Sequence, residues 1–130
     1  MKAQDIMNRP VVAATVTTTA RDLAIQMLMG GYSGLPIADR DGIVIGIVSE
    51  LDIIRTLRRG RALEATSADE IMTREVVSVD VAASVEEVME TLDTKKVVRV
   101  PVTEQGKLVG IISRSDVLRA FIEPKFMTFS

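Results

Sequence analysis

The chain has no cysteine, no histidine and no tryptophan, and only one tyrosine and three phenylalanines among its 130 residues. Without cysteine there are no disulfides, thiolate nucleophiles or thiolate metal sites; without histidine the commonest general base and metal ligand is gone. Most hydrolase and metalloenzyme mechanisms thereby lose their usual parts. No nucleophile stands beside a base, no carboxylate pair has a meaningful spacing, and no Walker-type or dinucleotide glycine loop occurs, so the chain reads as a non-enzyme with no required cofactor and no metal. Charge of one sign is lacking too: the net charge is −2, which provides no global positive field for nucleic acid or an anionic membrane. No apolar run approaches a bilayer span, and the opening MKAQDIMNRP places Asp5 and Arg9 where a signal peptide would be apolar. A cytoplasmic location is the expectation.

What is present is apolar and aliphatic. Hydrophobic residues make up 47% of the chain but aromatics only 3%, so Val, Ile, Leu, Met and Ala must form the core. Their β-branched members fall in short runs, which predicts strands among helices and an α/β fold.

The chain also repeats itself. Asp5-Ile6-Met7 returns as Glu70-Ile71-Met72, Val11-Val12 as Val76-Val77, Thr19 as Ser84, and Leu35-Pro36-Ile37 as Val100-Pro101-Val102. Past the turns Asp39-Arg40-Asp41-Gly42 and Glu104-Gln105-Gly106 the offset shortens by one, and Gly46-Ile47-Val48-Ser49-Glu50-Leu51-Asp52-Ile53 aligns with Gly110-Ile111-Ile112-Ser113-Arg114-Ser115-Asp116-Val117. Loop length is where such a change costs least. The expected organisation is repeat 1 over 1–59, a small polar linker over 60–68, repeat 2 over 69–123 and a tail over 124–130.

Each repeat carries the same local signals, in the order β-α-β-β-α. In repeat 1 a short strand near 10–13 precedes a helix capped by Thr19, with Leu23, Ala24, Met27 and Leu28 as its apolar stripe and Gly30-Gly31 as its stop. Strands at 34–38 and 43–48 flank a hairpin turn, and Ser49 opens a helix through Ile53, Ile54 and Leu57. In repeat 2 Ser84 and Glu87 form a capping-box pattern ahead of Val85, Val88, Met89 and Leu92. Strands at 97–102 and 107–112 then lead to a helix from about 114.

This succession of D/E-I-M, V-V, capped helix, h-P-h and G-h-h-S-x-x-D, given twice over residues 3–122, resembles the cystathionine-beta-synthase (CBS) domain pair, or Bateman module. The resemblance implies tandem repeats related by a pseudo-twofold and packed as one module. It also implies frequent homodimerisation, and clefts between repeats that bind adenosine-containing ligands. It assigns the ribose hydroxyls to the motif's Asp, here Asp52 with Ser49, and Asp116 with Ser113 and Ser115. A fixed carboxylate accepts from both vicinal hydroxyls, while a helix N-terminus offers N–H groups toward a phosphate. For the base pocket it implies Asn8, Val12, Ala13, Ser33 and Gly34 around Asp116, and Thr73, Val77, Ser78, Val98 and Arg99 around Asp52, with Arg99 at the family's phosphate-reaching basic position. Leu51 stands where repeat 2 has Ser115, so the hydroxyl count favours Asp116 as the better site.

The implied ligand is an adenine nucleotide (AMP, ADP or ATP), with S-adenosylmethionine, NAD and cyclic dinucleotides left open, and the implied output is a conformational or oligomeric change passed to an unidentified partner protein. The other reading is a structural, dimerising module with vestigial clefts. Ser49-x-x-Asp52 and Ser113-x-x-Asp116 are also ordinary helix starts. Arg99 reads equally as a strand residue paired with an acid. The cluster Arg55, Arg58, Arg59 and Arg61 reads as a solvated helix C-terminus, and Phe126 and Phe129 as either a frayed end or a clasp on a partner.

Overall fold

A computed structural model describes residues 1–9 and 13–122. Its elements are α1 (Ala3–Ile6), α2 (Ala20–Gly30), β1 (Gly34–Ala38), β2 (Val44–Ser49), α3 (Glu50–Arg58), α4 (Ala68–Ile71), β3 (Val79–Asp80), α5 (Val85–Thr94), β4 (Arg99–Glu104), β5 (Lys107–Ser113) and α6 (Arg114–Phe121).

The helices start and stop where the sequence signals stand. The hydroxyl of Thr19 accepts the Asp22 N–H at 3.1 Å, and α2 ends at Gly31, whose φ of 69° lies in the left-handed region that glycine enters without strain. Leu23 and Met27 are buried under this helix, but Leu28 points outward and is 82% exposed. On α3, Ile53 is buried while Ile54 and Leu57 also face outward. Ser84 accepts the Glu87 N–H at 3.1 Å, yet Glu87 meets the Ser84 hydroxyl at 3.4 Å instead of its backbone, so the expected capping box stays half-formed. Val85, Val88 and Leu92 bury the inner face of α5.

The two hairpins share a register. β1 and β2 pair antiparallel from Gly34↔Ser49 to Ala38↔Val44, and β4 and β5 from Arg99↔Ser113 to Glu104↔Lys107. Each ladder shifts register at the equivalent place, between Ile37 and Ala38 and between Val102 and Thr103. A bulge of this kind adds twist without ending the pairing. The second hairpin closes on Gln105 and Gly106, with φ of 54° and 81°, the two positive φ values that a two-residue hairpin turn demands. β4 begins at Arg99, not at the expected 97. The carbonyls of Val97 and Val98 are taken by Arg114, through its side-chain Nε at 3.1 Å and its backbone N–H at 2.9 Å, so these residues serve the start of α6 and not the ladder.

The chain divides into two units that do not coincide with the sequence repeats. Among the described residues, 13–76 form one, and 1–9 with 77–122 form the other. In the first, Thr73 pairs with Ile47 of β2 through reciprocal backbone bonds of 2.9 and 3.0 Å, and the core gathers Leu23, Met27, Leu35, Ile37, Val48 and Met72. The stretch 60–68 is integral to this unit: the Thr66 carbonyl accepts the Ala20 N–H at 2.7 Å, and both Thr66 and Ala68 are buried. In the second, the Asn8 N–H reaches the Ile111 carbonyl of β5 at 2.9 Å, β3 runs parallel to β4, and Val88, Leu92, Val100, Val102 and Ile112 form the core. Each half therefore completes its last strand with the D/E-I-M segment that the sequence gives to the other repeat. Of the strand expected near 10–13, residues 10–12 lie outside the described residues; just beyond it, Ala14 forms a parallel bridge with Ile37.

Candidate functional site

Both units turn from strand into helix through a closed capping box. Ser49 Oγ accepts the Asp52 N–H at 3.2 Å, while Asp52 Oδ2 accepts the Ser49 N–H at 2.8 Å and its hydroxyl at 3.0 Å. The corresponding distances at Ser113 and Asp116 are 3.3, 2.8 and 2.9 Å. The ordinary helix-start role thus holds for both serines, and it also fixes each carboxylate in place, as a binding group must be.

The two carboxylates differ beyond that shared frame. Asp52 Oδ1 faces the Arg55 guanidinium at 3.7 Å, an ion pair longer than a hydrogen bond, and its side chain is 13% exposed. Asp116 is 5% exposed; its Oδ2 takes a third donor, Asn8 Nδ2 at 2.7 Å, and its Oδ1 accepts from Arg119 at 2.7 Å. Burial pushes the Asp116 carboxyl upward, but the Ser113 N–H, the Asn8 amide, the Ser113 hydroxyl and Arg119 together outweigh it and hold the group below the usual aspartate value. Ser115 lies 2.9 Å from Ser113 Oγ; since the Ser113 proton goes to Asp116, Ser115 is the donor in that pair.

The remaining site candidates divide between the units: of the described residues assigned to Asp116 only Asn8 shares its unit, and of those assigned to Asp52 only Thr73 does. In the unit of Asp52, Gly34 opens β1 opposite Ser49, the Ser33 carbonyl accepts the Glu50 N–H at 3.0 Å, Thr73 flanks β2 with an exposed side chain, and Ala13 is exposed ahead of Ala14. In the unit of Asp116, half-buried Arg99 opens β4 opposite Ser113, exposed Val98 ties to the first residue of α6, and Val77 and Ser78 lead into β3. Val12 lies outside the described residues. Two residues that the sequence reading passed over belong here as well. Arg119 and Asp5 line, with Ile6, Asn8 and Asp116, a polar recess of about 260 Å³. The i, i+3 spacing of Asp116 and Arg119 on a helix was the available signal.

No cluster of three or more potential metal-ligating side chains occurs among the described residues, and none of their helices is long and apolar enough to cross a membrane.

Comparison with known proteins follows this geometry closely. The CBS domain family matches residues 3–59 and 68–123. Among curated proteins, YlbB of Bacillus subtilis is 32% identical over 120 residues, covering 89% of this chain and 79% of YlbB. Hypoxic response protein 1 of Mycobacterium tuberculosis is 30% identical, covering 98% of this chain and 90% of its own. A crystal structure of Hypoxic Response Protein I with two coordinated zinc ions superposes with a TM-score of 0.86 at 30% identity, over 94% of this chain and all of that one. The CBS domain pair of protein MJ0100, in complex with 5′-methylthioadenosine and S-adenosyl-L-methionine, does so with a TM-score of 0.84 at 26% identity, over 93% and 95% of the two chains. A chain without Cys or His has no donors of the kind zinc most often takes.

Proposed function

This chain belongs to the CBS domain family, and from that premise we propose that it is a regulatory, non-catalytic module that binds an adenosine-containing ligand. The carrying observation is the pair of box-held carboxylates, Asp52 and Asp116, each fixed at the first turn of a helix by its own serine. Such a group suits a vicinal diol, which needs two acceptor positions in fixed geometry. The similar MJ0100 pair, bound to two adenosine derivatives, supports this class of ligand. Ser49, Ser113 and Ser115 assist at the ribose, Arg99 serves a phosphate, and Asn8, Ala13, Ser33, Gly34, Thr73, Val77, Ser78 and Val98 shape the base side. AMP, ADP, ATP and S-adenosylmethionine fall within this class and NAD carries the same diol, whereas cyclic dinucleotides, with the 3′-oxygen esterified, would meet the carboxylate through the 2′-hydroxyl alone.

Ligand binding only to the folded state at a hundred times its dissociation constant adds about 2.7 kcal/mol. For a chain of this size that raises the melting temperature by about 10 °C. A thermal-shift panel with AMP, ATP, S-adenosylmethionine, 5′-methylthioadenosine and NAD tests the reading. At least one ligand shifts wild type, and the double variant Asp52→Asn/Asp116→Asn loses the response; no shift at millimolar ligand rejects the reading.

The output passes to another chain through conformation or association. Leu28, Ile54 and Leu57 in one unit and Leu118 and Phe121 in the other leave apolar helix surface uncovered, which a second copy covers in a homodimer. Light scattering should give twice the monomer mass at micromolar concentration, and a monomer mass refutes the dimer. If the dimer forms and no nucleotide binds, the module is a dimerising one.

A further inference from the structure

We propose that Arg119 is an internal competitor for the ligand diol at Asp116, so that Asp52 is the carboxylate an adenosine ligand engages first. The inference rests on the reading of the chain as an adenosine-ligand module, and it reverses the order that counting hydroxyls suggests.

A carboxylate offers about four lone-pair positions. At Asp116, Oδ2 already receives three donors, from the Ser113 N–H, the Ser113 hydroxyl and Asn8, and Oδ1 receives Arg119 at 2.7 Å. A diol that donates to both oxygens finds one of them crowded and the other held by a guanidinium. At Asp52, Oδ2 receives only the two Ser49 donors, and Oδ1 faces Arg55 at 3.7 Å. Thr73, which follows α4 as Asn8 follows α1, makes no side-chain bond to it among the described residues. Asp52 therefore presents the free positions that a diol needs.

Exchanging a charge-assisted bond from Arg119 for bonds from neutral hydroxyls is unfavourable unless the ligand gives the guanidinium something in return. The exchange is reversible because the Arg119 side chain is 53% exposed and can swing into solvent. Arg55 has the same helical spacing from its aspartate and comparable exposure, yet stands an ångström further off. It makes a matched control.

The probe is 5′-methylthioadenosine, which carries the diol but no phosphate to attract either arginine, measured by isothermal titration calorimetry on the full chain. In an Asp52→Asn background only the Asp116 corner remains, and there Arg119→Met should tighten binding several-fold to about tenfold, the worth of an exposed charge-assisted bond. Arg55→Met in the same background should change nothing. Affinity unchanged or weakened by Arg119→Met overturns the proposal while leaving the adenosine reading intact. No binding by wild type or by any variant overturns both. Arg119→Gln, which keeps length and polarity without the charge, should tighten binding in the same direction and serves if the Met variant folds poorly.

Discussion

The corner at Asp52 and the corner at Asp116 are made from the same ladder, the same bulge and the same capped helix, yet one carboxylate is nearly saturated with donors and the other is half open. The difference does not come from the backbone. Register, bulge and box distances agree to within 0.1 Å where the same bond can be compared. It comes from two side chains outside the shared motif: Asn8, where the other unit has Thr73, and Arg119, which closes on its aspartate where Arg55 does not. Duplication preserves what the backbone requires and leaves residues at the rim of the motif to differentiate two otherwise equal sites.

The two units also share the seat of the D/E-I-M methionine. A Cβ built on Gly46 would overlap the Met72 sulfur and lie 2.8 Å from its Cγ, and one on Gly110 would meet Met7 in the same way. The glycine of G-h-h-S-x-x-D is thus needed for close approach, not for an unusual φ. Gly46→Ala and Gly110→Ala should each destabilise by about 1–2 kcal/mol, because overpacking outweighs the small gain from a stiffer unfolded chain. Chemical denaturation of a double-mutant cycle sharpens the point: Gly46→Ala should cost less in a Met72→Ala background and the same in a Met7→Ala background, with the converse for Gly110→Ala. Coupling of Gly46 to Met7 would mean that each leading segment belongs to its own sequence repeat after all.

Much of this architecture was legible in the sequence because it is local. Thr19, Ser49, Ser84 and Ser113 announce their helices within four residues, Gly31 ends one, and the hairpin turns carry the glycine their positive φ requires. The partition into units was not legible. Its signal is the docking of two four-residue helices whose motifs are almost the same, and nothing local tells α1 from α4. The role of Ser49 and Ser113 as helix caps was readable from spacing, and the family resemblance placed Asn8 near Asp116. The latch was not readable, since Asp52-x-x-Arg55 and Asp116-x-x-Arg119 have the same spacing and only the geometry separates 3.7 from 2.7 Å. Leu28, Ile54 and Leu57 stand at helical apolar spacing yet face outward, because the apolar stripe is wider than the face the unit itself covers.

The smallest expected effect tests the saturation of Asp116 without any ligand. Its carboxyl is held below the ordinary aspartate value of 3.8 by donors that outweigh its burial. A folded-state pKa below the unfolded one means that the unfolded chain binds the proton more readily in the interval between them. The stabilisation is therefore fully present above the ordinary aspartate value and is lost as pH falls through the depressed one. Urea midpoints compared at pH 7 and pH 3 should fall further for wild type than for Asp116→Asn, whose side chain does not titrate, with all other carboxylates common to both proteins. Asn8→Ala removes one of the donors that lower the carboxyl, and should give a pH-dependent loss between those two. Thr73→Ala, which removes no bond to Asp52, should match wild type at both pH values. If Asp116→Asn loses as much stability on acidification as wild type, the carboxylate is not held by these donors, and the contrast between the two corners collapses with it.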